Sequence, residues 1–226
     1  MTEVAGFFDV DETVIADKSM FTFLRYYLAA QGESEGTYER LAGELHRAAA
    51  NGTPREQINR RYYRLYAGRS AAELSAIGES WFAARTAEGD FFHEPVLAAL
   101  AVQRDRGQIH LISGSFFACL DPVAGHLGAD GVVCTRPVIR RGELTGEVVV
   151  PVIGPVKGRV VRLLAATRGL SLAHSTAYAD HASDLSMLEA VGDPVVVGED
   201  PVLRERAARA GWRTLSVSAV HEKEAV

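Results

Sequence analysis

Apolar positions follow two different rhythms along this chain, and the change of rhythm divides it. Residues 4–8, Val-Ala-Gly-Phe-Phe, run without a polar break and end abruptly in acids. A short run of this kind bounded by charge predicts a strand covered on both faces. From about residue 18 to residue 85 the apolar positions recur instead at three and four residues, the helical period. Phe21, Phe23, Leu24, Tyr27 and Leu28 leave a helix over 20–30 apolar on nearly every side, which predicts burial between two units. Tyr38, Leu41 and Leu45 stripe a helix over 37–50, ended by Asn51-Gly52. Thr53-Pro54-Arg55-Glu56 and Ser70-Ala71-Ala72-Glu73 read as capping boxes, the first with proline at the opening helical position. The helices they start bury Ile58, Tyr62 and Leu65 in one case and Leu74, Ile77 and Trp81 in the other.

Beyond residue 90 helical and strand-like stretches alternate, as βα units do. A helix opens at Pro95, passes through Leu97, Leu100 and Ala101, and stops at Gly107; strand 108–112 leads into Ser113-Gly114-Ser115. Helix 116–127 contains Pro122 and closes at Gly128, and strand 131–135 follows. Residues 138–150, with Arg141-Gly142-Glu143 in the middle, predict a β-hairpin. Helix 155–167, strand 176–179, helix 185–190, strand 194–197, helix 202–210 and strand 214–217 complete an α/β pattern without internal repeats.

Composition narrows the function classes. The 226 residues, 47% hydrophobic, suffice for one sizeable core and a smaller appended unit. A formal charge of −5 and no extended run of Lys or Arg exclude a phosphate-backbone tracker, so nucleic acid is not expected as a partner. No basic-then-apolar leader stands at the N-terminus, and no apolar run approaches the roughly 20 residues of a spanning helix, so no membrane is expected either. Cys119 and Cys134 fall inside a predicted helix and strand without metal-ligand spacing, which fits buried free thiols in a reducing, cytoplasmic compartment.

The chemistry collects at strand ends and helix starts. Asp9 and Asp11 follow the first strand at its carboxyl end, where open α/β sheets bind ligands, and their i, i+2 spacing lets them share one site. Two carboxylates that close repel, and stay ionised beside a hard cation such as Mg²⁺. Ser113 and Gly114 end the second predicted strand, Lys157 lies in the first turn of a helix, and Asp180 and Asp184 follow another strand. Each alone has a plain reading: a solvated turn, a capping serine, a surface lysine, an N-cap with an exposed acid. Together they are complementary, because an anionic nucleophile needs its phosphate target screened by cation and lysine. The Ser113 hydroxyl and Gly114 amide can hydrogen-bond phosphate oxygens.

In this order the motifs resemble those of haloacid dehalogenase superfamily phosphatases, of the subclass that includes phosphoserine phosphatase. Asp9-Val10-Asp11-Glu12-Thr13 stands as the first motif, Ser113 as the second, Lys157 as the third, and Asp180 with Asp184 as the fourth. The resemblance covers nearly the whole chain. It implies a Rossmann-like parallel sheet core over 1–17 and 88–226, a small helical cap over 18–87 inserted after the first strand, and a β-hairpin flap at 138–150. It implies a Mg²⁺-dependent phosphatase in which Asp9 attacks phosphorus to form an aspartyl-phosphate and Asp11 protonates the leaving alcohol and then activates water. Asp9, the Asp11 carbonyl and Asp180 would hold Mg²⁺, Asp184 would orient its ligands, and Ser113, Gly114 and Lys157 would bind the phosphoryl group. Departures from the subclass pattern are Ala179, often glycine, and His181, often small, which leaves His181 as filler, phosphate neighbour or metal-orienting group. Where phosphoserine phosphatases carry a glutamate for the substrate ammonium, the count from Thr13 reaches Lys18; Arg60 matches the cap arginine for the carboxylate, and Asp17 is the alternative acid. The expected substrate is a small phosphomonoester: a polyol, sugar, cyclitol or acidic organic phosphate. Phosphoserine, transfer of the phosphoryl group to an acceptor alcohol, and a silent phosphate-sensing module are the alternatives.

Overall fold

In the computed structural model, which describes residues 3–217, the first apolar run is strand β1 (Ala5–Phe8), buried at all four positions. Five strands join it in one sheet: β2 (Gln108–Ser113), β3 (Gly131–Cys134), β6 (Thr176–Ala179), β7 (Asp193–Val197) and β8 (Arg213–Leu215). The order is β3-β2-β1-β6-β7-β8, every pair parallel. Strands β4 (Pro137–Arg140) and β5 (Glu143–Val148) form a separate antiparallel hairpin. Arg141 and Gly142 turn it with φ of 53° and 84°; two left-handed residues in a two-residue loop match the twist of the flanking strands. The hairpin is shorter than its apolar pattern suggests, since Val149 and Val150 lie beyond β5 and are exposed.

Between β1 and β2 the chain forms α1 (Ser19–Ala30), α2 (Glu35–Ala50), α3 (Arg55–Arg64), α4 (Ala71–Ala87) and α5 (Glu94–Arg106). After β2 come α6 (Phe117–Leu127), α7 (Pro155–Arg168), α8 (Leu185–Leu188) and α9 (Pro201–Ala210). Phe7 and Phe8 show how the sheet is covered, because successive strand side chains point to opposite faces. Phe7 packs with Ile112, Ala177 and Val196 under Val161 of α7, Met187 of α8 and Leu203 of α9. Phe8 packs with Ile109, Leu111 and Tyr178 under Val96 of α5, Leu120 of α6 and the aromatic residues of α1, α3 and α4.

Local signals set most boundaries, with corrections. Ser70 caps α4 as expected, its Oγ accepting from the Glu73 amide at 3.4 Å. Pro54 does not open α3: it is the N-cap, with φ −54° and ψ 139°, and no side chain caps that end. An extended ψ keeps proline outside the helix while its carbonyl accepts from Gln57 and Ile58. The buried face of α3 is Asn59, Tyr62 and Tyr63, whereas Ile58 and Leu65 are only half-buried. Helix α2 starts two residues before the expected 37, and β8 lies at 213–215 rather than 214–217.

The inserted helices dock on the sheet through α4 and α6. Proline at 122 leaves the Ala118 carbonyl without its helical N–H partner, and Gly78 of α4 approaches at that carbonyl: a Cβ on Gly78 would stand 1.9 Å from it. Phe23 of α1 and Tyr63 of α3 each meet Phe116 at 5.4 Å between ring centroids. The two linkers run side by side, Ala16 donating to the Phe91 carbonyl at 2.8 Å. Arg85 clamps Asp17 with bonds of 2.7 and 2.9 Å across them. Gly78→Ala is therefore expected to lower stability by about 1–3 kcal/mol through overpacking, against a gain of about 1 kcal/mol in helix propensity. Gly125→Ala, exposed on α6 with nothing within 4 Å of its would-be Cβ, should raise stability; urea midpoints of the two variants check both signs.

Candidate active site

Strand order places the site. From β1 the chain builds β2 and β3 on one side and then crosses to β6 on the other, so the crevice between the carboxyl ends of β1 and β6 is the switch point of the sheet. Asp9 follows β1 and Asp180 follows β6, while Ser113 ends the neighbouring β2. The turn after Asp9 is tight: the Val10 carbonyl accepts from the amides of Thr13, Val14 and Ile15. Glu12 takes a left-handed φ of 58°, a conformation that non-glycine residues hold at a cost.

A buried lysine joins the carboxylates. Lys157 Nζ lies 2.7 Å from Asp9 Oδ1 and 2.9 Å from Asp184 Oδ1, all three side chains under 10% exposed. Carboxylate oxygens of Asp9, Asp180 and Asp184 lie within 4.8 Å of one another. Thr13 Oγ1 donates to Asp180 Oδ1 at 2.6 Å and so fixes its rotamer. The Asp11 side chain turns away from this group, and its Oδ1 accepts from the Ser19 amide at 3.0 Å. Ser19 Oγ donates to Ser115 Oγ at 2.8 Å, and the Ser115 amide donates to Ser113 Oγ at 3.0 Å. Gly114 packs against Ile153, where a Cβ would sit 3.0 Å from its Cγ1.

Burial and charge pull the titrations apart. Burial pushes the Asp9 carboxyl well above the usual range although Lys157 opposes it, and burial raises Asp11 against its bonds from Ser19. Burial raises Asp180 to about 6, opposed by the Thr13 hydrogen bond. Asp184 is equally buried, yet Lys157 and its hydrogen bond with Asp9 hold it below the ordinary value. Burial depresses Lys157, but Asp9 and Asp184 more than offset that and raise it. Three carboxylates face one ammonium, so acidic groups outnumber the buried cation. That surplus, on oxygen donors alone, fits a hard divalent cation.

The residues expected to set specificity have protein partners of their own. Lys18 faces Glu12 at 3.5 Å, half-exposed, and Arg60 donates to the Val148 carbonyl of β5 at 2.9 Å. Asp17 is taken up by Arg85. His181 stands beside Arg55 of α3, 2.9 Å from its Nη1. Sequence reasoning assigned no role to Thr13, Ser19, Asn59, Tyr63 or Ser115. Thr13 lies within the first motif, but the others carry no local signal beyond a polar residue on a buried helix face or turn.

A parallel α/β sheet that gathers buried carboxylates, a lysine and a serine hydroxyl at its switch point is the architecture of a phosphatase-class enzyme. The sequence matches the haloacid dehalogenase-like hydrolase family over residues 7–189. It is 32% identical to an "inhibition of morphological differentiation protein" of Streptomyces azureus over 95% of this chain and 79% of that one. It is likewise 32% identical to a probable phosphatase of Mycobacterium tuberculosis (95% and 75% covered), and to the phosphoserine phosphatase SerB1 of that species (92% and 69%). Among solved structures, a Bordetella pertussis protein of unknown function superposes with a TM-score of 0.84 at 25% identity, covering 95% of this chain and 99% of that one. A substrate-bound phosphoserine phosphatase shares the fold, with a TM-score of 0.67 at 20% identity and 91% of each chain covered. The chain belongs to the haloacid dehalogenase-like hydrolase family.

Removing the ammonium should expose what it neutralises. Lys157→Met leaves Asp9 and Asp184 buried without their counter-charge and should cost about 3–5 kcal/mol at pH 8 in the presence of a chelator. The loss should be smaller at pH 5 than at pH 8, because burial favours the protonated Asp9 carboxyl and each proton taken up removes part of the uncompensated charge. Urea unfolding at the two pH values measures it; an equal loss at both would contradict the charge argument.

Proposed function

We propose that this protein is a Mg²⁺-dependent phosphomonoesterase that works through an aspartyl-phosphate on Asp9. The observation that carries this reading is the buried group of Asp9, Lys157, Asp180 and Asp184 beside Ser113 at the sheet's switch point. Asp9 and Asp180, with the Asp11 carbonyl, would hold the cation and Asp184 would orient the group. When bound, the cation screens the phosphate so that an anionic carboxylate can approach it. Ser113 Oγ, the Gly114 amide and Lys157 Nζ grip the phosphoryl oxygens.

An Asp9 oxygen attacks phosphorus as the bond to the leaving oxygen breaks, and Asp11, whose carboxyl burial raises above the ordinary value, gives that oxygen its proton. Asp11 then takes a proton from a water that attacks the aspartyl-phosphate, releasing inorganic phosphate and freeing Asp9. The helices over 18–87 act as the cap that excludes bulk water, since Asp9, Ser113 and Lys157 are already 6%, 1% and 5% exposed beneath them. No helix among the described residues is long and apolar enough to cross a membrane, and free Cys119 and Cys134 agree with a cytoplasmic setting.

Asp9→Asn keeps the shape but cannot attack phosphorus, so purified variant should release no phosphate while its thermal unfolding stays cooperative. Chelator should silence the wild type and Mg²⁺ restore it, whereas Ca²⁺, content with more ligands at longer distances, should bind and support little turnover. Full activity in excess chelator would remove the cation from the mechanism.

The substrate we propose is a polyol, sugar, cyclitol or acidic organic phosphate rather than phosphoserine. By the count from Thr13, Lys18 falls where phosphoserine phosphatases carry the ammonium-binding acid, and Asp17 is a poor replacement because Arg85 holds both its oxygens. Comparing kcat/KM for phosphoserine with a panel of such phosphates should favour the panel, and Lys18→Glu should shift the ratio toward phosphoserine. A wild-type preference for phosphoserine would overturn this assignment.

A further inference from the structure

The phosphate-gripping turn is held from above by the inserted helices, through an atom that does not itself touch substrate. Asn59 Nδ2 donates to the Gly114 carbonyl at 2.9 Å and Tyr63 Oη donates to the same oxygen at 3.1 Å. Both residues lie one turn apart on α3, 3% and 0% exposed. Because the Gly114 carbonyl is an acceptor, it fixes the Asn59 amide with nitrogen toward it. That carbonyl belongs to the same peptide unit as the Ser115 N–H, and the Ser115 N–H donates to Ser113 Oγ at 3.0 Å. Two donors on one end of a peptide polarise the donor at its other end, since hydrogen bonds in series strengthen one another in a low-dielectric interior. With its oxygen already accepting from Ser115, the Ser113 hydroxyl is left to donate its proton outward.

We infer that Asn59 and Tyr63 are positioning residues that make the docked α3 part of the phosphate site: they polarise the Gly114–Ser115 peptide and thereby strengthen the Ser113 hydroxyl as a donor to a phosphoryl oxygen. The inference rests on the phosphatase reading above and adds to it a route by which docking of the cap is felt at phosphorus. The coupling is reciprocal, so a phosphoryl group bound to Ser113 favours the docked α3 in turn. No proton leaves Asn59 or Tyr63 in this relay.

A double-mutant cycle separates this role from mere packing. Tyr63→Phe keeps the ring against Phe116, and Asn59→Leu keeps the volume, while each removes one donor. Each should weaken Mg²⁺-dependent binding of orthovanadate, read by calorimetry, about threefold to tenfold, the size of one net hydrogen bond. The same changes made in a Ser113→Ala background should alter affinity less than about twofold, because the relay then ends on nothing. Tyr66→Phe, which removes another buried hydroxyl of α3's extension bonded to Tyr62 at 2.8 Å, should leave orthovanadate affinity unchanged and reports the cost of disturbing the cluster. Equal losses in the wild-type and Ser113→Ala backgrounds would overturn the relay while leaving the phosphatase reading intact if the wild type still releases phosphate. A wild type that neither binds orthovanadate nor hydrolyses phosphate esters would overturn both.

Discussion

The ion pair of Lys157 with Asp9 and Asp184 is the constraint the rest of the site obeys. Charges this deeply buried are costly unless paired, and here the pairing holds three chain segments in register: the turn after β1, the first turn of α7, and the turn after β6. Each segment is also fixed on its own, the first by the Val10 carbonyl, the second by the Gly154 carbonyl, which accepts from the Lys157 amide at 3.0 Å, and the last by Asp200, whose carboxylate accepts from the Ala182 amide at 3.1 Å. The lysine offsets part of this acidic group, and the remaining carboxylate oxygens are donors of the kind a hard cation takes.

The inserted helices are more than a cover. They share one apolar cluster with the Phe8 face of the sheet, and their contact with the core is closest at the carbonyl that Pro122 frees, where Gly78 admits α4. Asp17 and Arg85 tie the two linkers, and β5 bonds the segment between α3 and α4, Gly68 donating to the Leu144 carbonyl at 2.7 Å. Insert and hairpin therefore form one connected layer. The bonds from α3 to the Gly114 carbonyl tie that layer to the turn after β2.

Periodicity and motif order determined a great deal. The unbroken run to Phe8 announced a strand buried on both faces, Gly107 and Gly128 marked helix ends where they occur, and the order of Asp9, Asp11, Ser113, Lys157, Asp180 and Asp184 along the chain singled out residues at strand ends and helix starts. These signals are local: strand burial, capping and the placement of a residue at a strand end depend on a few neighbours in sequence.

Tertiary structure alone decided which groups meet. A polar residue such as Asn59 on a helix face is ordinarily solvated, and only packing of α3 over the Gly114 turn makes it a buried donor. Asp17 and Lys18 are adjacent in sequence, yet one is consumed by Arg85 and the other faces Glu12, a division set by where the second linker returns, some seventy residues later. Likewise Asp184 rather than the Asp11 side chain completes the carboxylate triad, because the turn at Glu12 directs Asp11 to the Ser19 amide. Sequence spacing brings chemistry to the same end of the sheet, but distances between separate segments follow from how the layers pack, and these a one-dimensional pattern does not contain.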